Sequence, residues 1–163
     1  MKCEKCNAIC PATAKFCPSC GALTDDANAT VSRSEVDVEW MGRAMSRLGY
    51  TYEVNGSTVL CKHETRPTVV LGRLADPPLV TMQIHWRMPA VPMLKRWEFA
   101  DTMNKANGAN WICTFTYGPS NLSASSFLYL PETSRPHEVV SYFDTFITAA
   151  AGVLESSGML KFA

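Results

Sequence analysis

Long apolar runs are missing from this 163-residue chain. None approaches the roughly 20 consecutive apolar residues of a membrane-crossing helix, so no membrane insertion is expected. The amino terminus, MKCEKCNAIC, lacks the apolar segment that a secretory signal carries. A charge surplus is missing too: 15 lysines and arginines balance 15 aspartates and glutamates, for a formal net charge of zero. The residues from Val36 onward are balanced by themselves. A chain that wraps nucleic acid needs a basic surplus, because neutralising phosphates supplies most of its affinity. Nucleic acid is therefore the disfavoured partner, with Lys2, Lys5 and Lys15 forming the one local basic cluster.

Catalytic signatures are also scarce. There is no His-x-x-x-His pair, glycine-rich phosphate loop or Gly-x-Ser-x-Gly elbow. The three histidines, His63, His85 and His137, are dispersed. His85 falls on the polar side of an alternating strand beside Gln83 and Arg87, where a solvated surface residue is the simpler reading. Arg43 and Arg47, four apart on a helix, offer a contact for an acidic partner, against the simpler reading of a solvated helix face. No enzyme is expected.

Cysteine is what the sequence does have. Seven cysteines without an export signal point to the reducing cytoplasm, where clustered thiols usually bind metal. Cys3 and Cys6 form one Cys-x-x-Cys pair, and ten residues later Cys17 and Cys20 form a second. Two intervening residues let both thiolates of a pair reach one ion while backbone N–H groups turn toward the sulfurs. The ten-residue excursion brings the second pair round to complete a tetrahedron. The expectation is one structural Zn²⁺ held by Cys3, Cys6, Cys17 and Cys20, with local folding coupled to the metal. A disulfide framework conflicts with the compartment. A redox Cys-x-x-Cys usually occurs singly after a strand. A four-thiolate iron site is the remaining competitor. Cys10 reads as a bystander, and Cys61 and Cys113 as small buried strand residues.

The chain divides into a cysteine-rich segment at 1–21, a small and polar linker at 22–35, and an apolar-rich domain at 36–163. In that domain Met41, Ala44, Met45 and Leu48 mark a helix over Val36–Leu48 that Gly49 stops. Residues 51–62 read as a strand broken by the hairpin dipeptide Asn55-Gly56. Thr68–Leu71 forms a short β run. Val80, Met82, Ile84, Trp86 and Met88 alternate with Thr81, Gln83, His85 and Arg87 in the clearest strand. After Pro92, Met93, Trp97, Ala100 and Met103 share a helical face up to Asn107-Gly108. Residues 110–117 and 122–130 are two more strands joined by Gly118-Pro119-Ser120-Asn121. Pro136 opens a final helix with its stripe at Val139, Phe143, Phe146, Ile147, Ala150, Val153 and Leu154, ending at Gly158. Trp40, Trp86, Trp97 and Trp111 fall mostly on apolar faces, so core packing explains them without a ligand. The order α-β-β-β-α-β-β-α defines an α+β sandwich with helices packed on an antiparallel sheet.

Two resemblances add to this reading. Cys3-Glu4-Lys5-Cys6 and Ala14-Lys15-Phe16-Cys17-Pro18-Ser19-Cys20-Gly21 resemble the short bacterial zinc ribbons that precede many unrelated domains as structural or docking appendages. Where those ribbons usually place glycine after the second cysteine, this chain has Asn7, which also tolerates a left-handed backbone. The second domain resembles the YbjN family, whose fold is similar to that of type III secretion chaperones. The features that carry this are Leu48-Gly49-Tyr50 after the first helix, the strand Val80–Met88, a helix containing Asn104 and Asn107, the strand Trp111–Tyr117 and the long final helix. The resemblance implies a chaperone-like protein-binding module, often a homodimer. The expected function is a non-enzymatic adaptor carrying a structural zinc ribbon. The alternative is a nucleic-acid-associated regulatory protein that uses the ribbon.

Overall fold

A computed structural model describes residues 2–3, 5–10, 17–22, 30–118 and 121–162. Within 30–162 the chain forms β1 (Val31–Ser32), α1 (Val38–Arg47), β2 (Thr51–Asn55), β3 (Thr58–Lys62), β4 (Val69–Leu74) and β5 (Leu79–Arg87). A 3₁₀ turn at Met93–Lys95 leads into α2 (Arg96–Ala109), followed by β6 (Thr114–Tyr117), β7 (Asn121–Tyr129), β8 (Thr133–Ser134) and α3 (Pro136–Ser157). Six strands make one antiparallel sheet in the order β2-β3-β4-β5-β7-β6, and β1 pairs with β8 apart from it. The α+β architecture is as the sequence implied, with one strand more in the main sheet before α2 and the short β1–β8 pair besides. Residues 51–62 are two strands in register, Tyr52 opposite Cys61 and Val54 opposite Val59, because the turn at Asn55-Gly56 closes a hairpin.

Local chemistry sets the ends of the elements. The Trp40 N–H donates to the Asp37 carboxylate at 2.7 Å, capping α1. Gly158 takes a left-handed backbone, φ 80°, and ends α3. The Asp76–Pro77 peptide between β4 and β5 is cis.

All three helices lie on one side of the sheet. The facing positions, among them Val59, Cys61, Val69, Leu71, Val80, Met82, Ile84, Phe115, Leu122 and Ala124, close a single core with Trp40 and Met41 of α1 and Phe143 and Phe146 of α3. Gly42 lets α1 approach β2, since a Cβ there would sit 2.3 Å from the Tyr52 ring.

Three expectations need correction. The span 22–35 is not linker throughout: Val31 is fully buried and pairs with Ser134, and the Arg33 side chain donates to the Leu130 carbonyl at 2.8 Å. A two-residue strand has no periodicity to read. Residues 23–29 lie outside the described residues. Secondly, only part of the expected α2 stripe faces inward, with Met103 packed against the core. Phe99 and Ala106 are buried, whereas Met93 and Trp97 are 73% and 87% exposed. Thirdly, Trp111 precedes β6 in a bend and is 88% exposed, so two of the four tryptophans are outside the core.

Candidate functional site

The two Cys-x-x-Cys segments fold as the same turn used twice. The Asn7 N–H donates to the Cys3 carbonyl at 2.8 Å, and the Gly21 N–H to the Cys17 carbonyl at 2.8 Å. The Cys3 N–H then pairs with the Ala8 carbonyl, and the Cys17 N–H with the Ala22 carbonyl. Both turns need a left-handed residue after the second cysteine, and Asn7 (φ 58°) and Gly21 (φ 69°) supply it. An isolated bridge between Lys2 and Ile9 closes the first turn.

These turns bring the four cysteine sulfurs together, all within 4.8 Å of one another. Cys3 Sγ lies 3.6 Å from Cys20 Sγ, and Cys6 Sγ lies 3.6 Å from Cys17 Sγ. Four thiolates on a tetrahedral ion with metal–sulfur bonds of about 2.3 Å lie about 3.8 Å apart. The donor set therefore fits a metal ion, with Cys3 and Cys17 buried and Cys6 and Cys20 exposed.

Backbone donors prepare the inner sulfurs for ionisation. The Cys6 N–H pointing at Cys3 lowers that thiol below its usual range, helped by the Lys5 N–H. At Cys17 burial opposes ionisation, but the N–H groups of Ser19 and Cys20, with neighbouring thiols, lower it to about 6. Cys6 receives the Ala8 N–H, yet hydrogen bonding to Cys20, desolvation and the other thiols push it up to about 12. Without a cation the four groups cannot all ionise side by side.

Cys10 lies outside the four-sulfur cluster, as its bystander reading expects. It is 2% exposed and packs with Cys3, Cys17 and Ala22 in the small core beneath the sulfurs. Burial pushes its thiol up to about 11. Cys61 and Cys113 are buried strand-region residues, and burial raises the Cys61 thiol to about 12.

The remaining candidates are dispersed. His85 is exposed on the outer sheet face, its Nδ1 2.8 Å from Ser123 Oγ on the neighbouring strand. His63 Nδ1 accepts the N–H groups of Thr65 and Arg66, so the ring closes a turn beside Tyr50. His137 is exposed in the first turn of α3. Arg43 lies 3.8 Å from Glu39, one turn away on α1, and Arg47 is half-buried at its end. A cleft of 470 Å³ runs between α2 and α3, lined by Thr102, Lys105, Ala106, Val153 and Ser156 among others.

The sheet face opposite the helices was not anticipated as a functional surface. Its cross-strand register builds rows of graded character. Leu74, Leu79 and Tyr129 form one row, and Gly72, Thr81 and Phe127 the next. Toward the other end stand His85 with Ser123, then Arg87 with Asn121. Phe127 is 59% exposed and Tyr129 58%, with the Arg33 guanidinium 5.7 Å from the Tyr129 ring centre. The period-2 alternation in 121–129 carried this signal, since Phe127 and Tyr129 share parity with Ser123 and Ser125 rather than with the buried Leu122 and Ala124.

No protein-family profile matches the sequence, and no curated protein does. In structure the chain is similar to YbjN from E. coli, described as a candidate transcription regulator. The superposition has a TM-score of 0.58 at 6% identity, covering 76% of this chain and 92% of that one. A YbjN-like α+β fold is therefore the class to which this layer is similar, and the likeness concerns fold alone.

Proposed function

We propose that the protein is a non-enzymatic protein-binding module, a chaperone-like adaptor that carries one structural Zn²⁺ on Cys3, Cys6, Cys17 and Cys20. The open sheet face carries this reading. A sheet covered by helices on one side only, with Leu74, Phe127 and Tyr129 exposed in adjoining rows, offers an apolar surface of the kind that marks protein contact. The tetrad supports zinc by its four-sulfur donor set and its tetrahedral spacing. In this reading the metal stabilises the small segment and takes no part in chemistry.

Mild affinity purification from native extract, with and without nuclease, tests the proposal. A stoichiometric protein that survives nuclease and is lost with Phe127→Ser plus Tyr129→Ser supports it. Metal content measured on the same purified protein should be one zinc per chain, with iron as the outcome that overturns the metal assignment.

The second reading, a nucleic-acid-associated regulator, is favoured by the printed description of the YbjN neighbour and by the basic pair Lys2 and Lys5. Recovery of nucleic acid with an affinity that falls steeply as salt rises would put that reading first.

A further inference from the structure

The row Leu74, Leu79 and Tyr129, at one end of the outer sheet face, adjoins two arginines from distant parts of the chain. Arg33 follows β1, where its N–H donates to the Glu132 carbonyl at 2.8 Å, so the β1–β8 ladder fixes its place. Its guanidinium lies 5.7 Å from the centre of the Tyr129 ring. Arg73 belongs to β4, one residue before Leu74. Its guanidinium donates to the carbonyls of Val36, Leu79 and Arg33 at 3.2, 3.4 and 3.5 Å.

Both arginines are half-buried, yet among the described residues no carboxylate lies within ion-pair distance of either. Glu35 instead accepts the Ser32 N–H and hydroxyl, each at 2.8 Å. The partners of the two cations are neutral oxygens throughout, for Arg33 the Leu130 carbonyl at 2.8 Å and the Tyr129 hydroxyl at 3.5 Å. A guanidinium has five N–H donors, so donors are left over on both side chains. Burial, and then the charge of Arg33, hold the Arg73 guanidinium below its ordinary range. Two like charges that disfavour each other in a half-buried place are stabilised by an anion set against both.

We propose that Arg33 and Arg73 are the charged end of the docking face and bind a carboxylate of the partner protein. That carboxylate is an Asp or Glu side chain, set beside apolar residues that lie on Leu74, Leu79 and Tyr129. The inference rests on the sheet-face docking proposed above and supplies the chemistry of its partner. The planar guanidinium fork matches a carboxylate, and the carbonyls that hold each fork fix its direction beforehand. One cationic corner beside an aliphatic row, on a chain of zero net charge, fits a single carboxylate better than the run of phosphates that nucleic acid presents.

Selection of random displayed peptides on the full chain is the test. Enriched peptides should carry an Asp or Glu next to apolar residues. Arg33→Gln should weaken a selected peptide at least about tenfold, the scale of one hydrogen-bonded charge. Changing the peptide carboxylate to its amide should cost the same, and both changes together no more than either, because they remove one contact. In the unmutated protein the peptide should shift the Nε–H resonances of Arg33 and Arg73, a readout that needs no variant to fold. Arg33→Glu should redirect the selection to peptides bearing Lys or Arg. Acid-free peptides that depend on Phe127 and Tyr129 would overturn the charged end and leave the docking face standing. Acidic peptides indifferent to Arg33→Gln would overturn it as well, as would a single-stranded oligonucleotide bound at the two arginines in preference to every selected peptide. If no peptide is enriched, or those enriched ignore Phe127→Ser plus Tyr129→Ser, the docking face itself fails and this inference with it.

Discussion

The cysteine segment closes on four small residues, Cys3, Cys10, Cys17 and Ala22, whereas the α+β layer closes on large side chains such as Trp40, Phe115, Phe143 and Phe146. Burying apolar surface stabilises by roughly 25 cal/mol per Å², which suffices for the layer and falls far short for the segment. The layer folds by apolar burial, whereas the segment offers four clustered sulfurs on which the proposed metal would hold it together. The two separate cores predict separate unfolding, with each region lost while the other stands.

The largest effect should come from removing the metal. Chelation, or Cys17→Ser, should unfold residues 2–22, because structural zinc contributes about 10–16 kcal/mol to comparable segments. Thiol reactivity should rise at Cys3, Cys6, Cys10 and Cys20, while the thermal transition of the layer stays in place. Loss of both in a single transition would break the comparison and make the chain one cooperative unit.

The converse cut is Phe143→Ala. Phe143 is fully buried between α3 and the sheet, so the cavity should cost about 3–5 kcal/mol in denaturant unfolding. Metal stoichiometry should not change. A smaller loss belongs to Gly42→Ala, which drives a methyl into the Tyr52 ring and should cost about 1–3 kcal/mol with the fold retained. If the variant were as stable as the parent, the contact between α1 and β2 would be looser than its geometry indicates.

The finest test sits in the first knuckle. Asn7→Ala places an ordinary side chain at φ 58° and should cost about 1–2 kcal/mol, read as an about fivefold to thirtyfold weaker metal affinity. Asn7→Gly should bind at least as tightly as the parent, matching Gly21 in the second turn. Equal affinities for all three would mean that the turn geometry has no influence on the ion.

The cysteine spacing was fully legible, because a Cys-x-x-Cys turn is local and its meeting with a second pair follows from thiolate geometry. The long helix α3 and the strand β5 were legible too, since each has one wet and one dry side and so shows a single clean period. α2 was misread for the opposite reason. Apolar residues stand on both its sides, Trp97 on one and Phe99 on the other, and one sequence then supports two periodic readings. Asn107-Gly108 suggested a stop, yet the helix runs on to Ala109 while the Asn107 amide exchanges two hydrogen bonds with the Phe115 backbone of β6. The β1–β8 ladder was invisible because pairing across a hundred residues leaves no local trace. The rows of the outer sheet face depend on register, which only the folded sheet specifies.

That short ladder also fixes a radius. With Val31 pinned against Ser134, only the residues after Ala22 separate the metal knuckle from an anchored strand. Nine extended peptide steps reach at most about 30 Å. In the proposed adaptor reading, that reach is an upper limit on the distance between the two contact points of one partner.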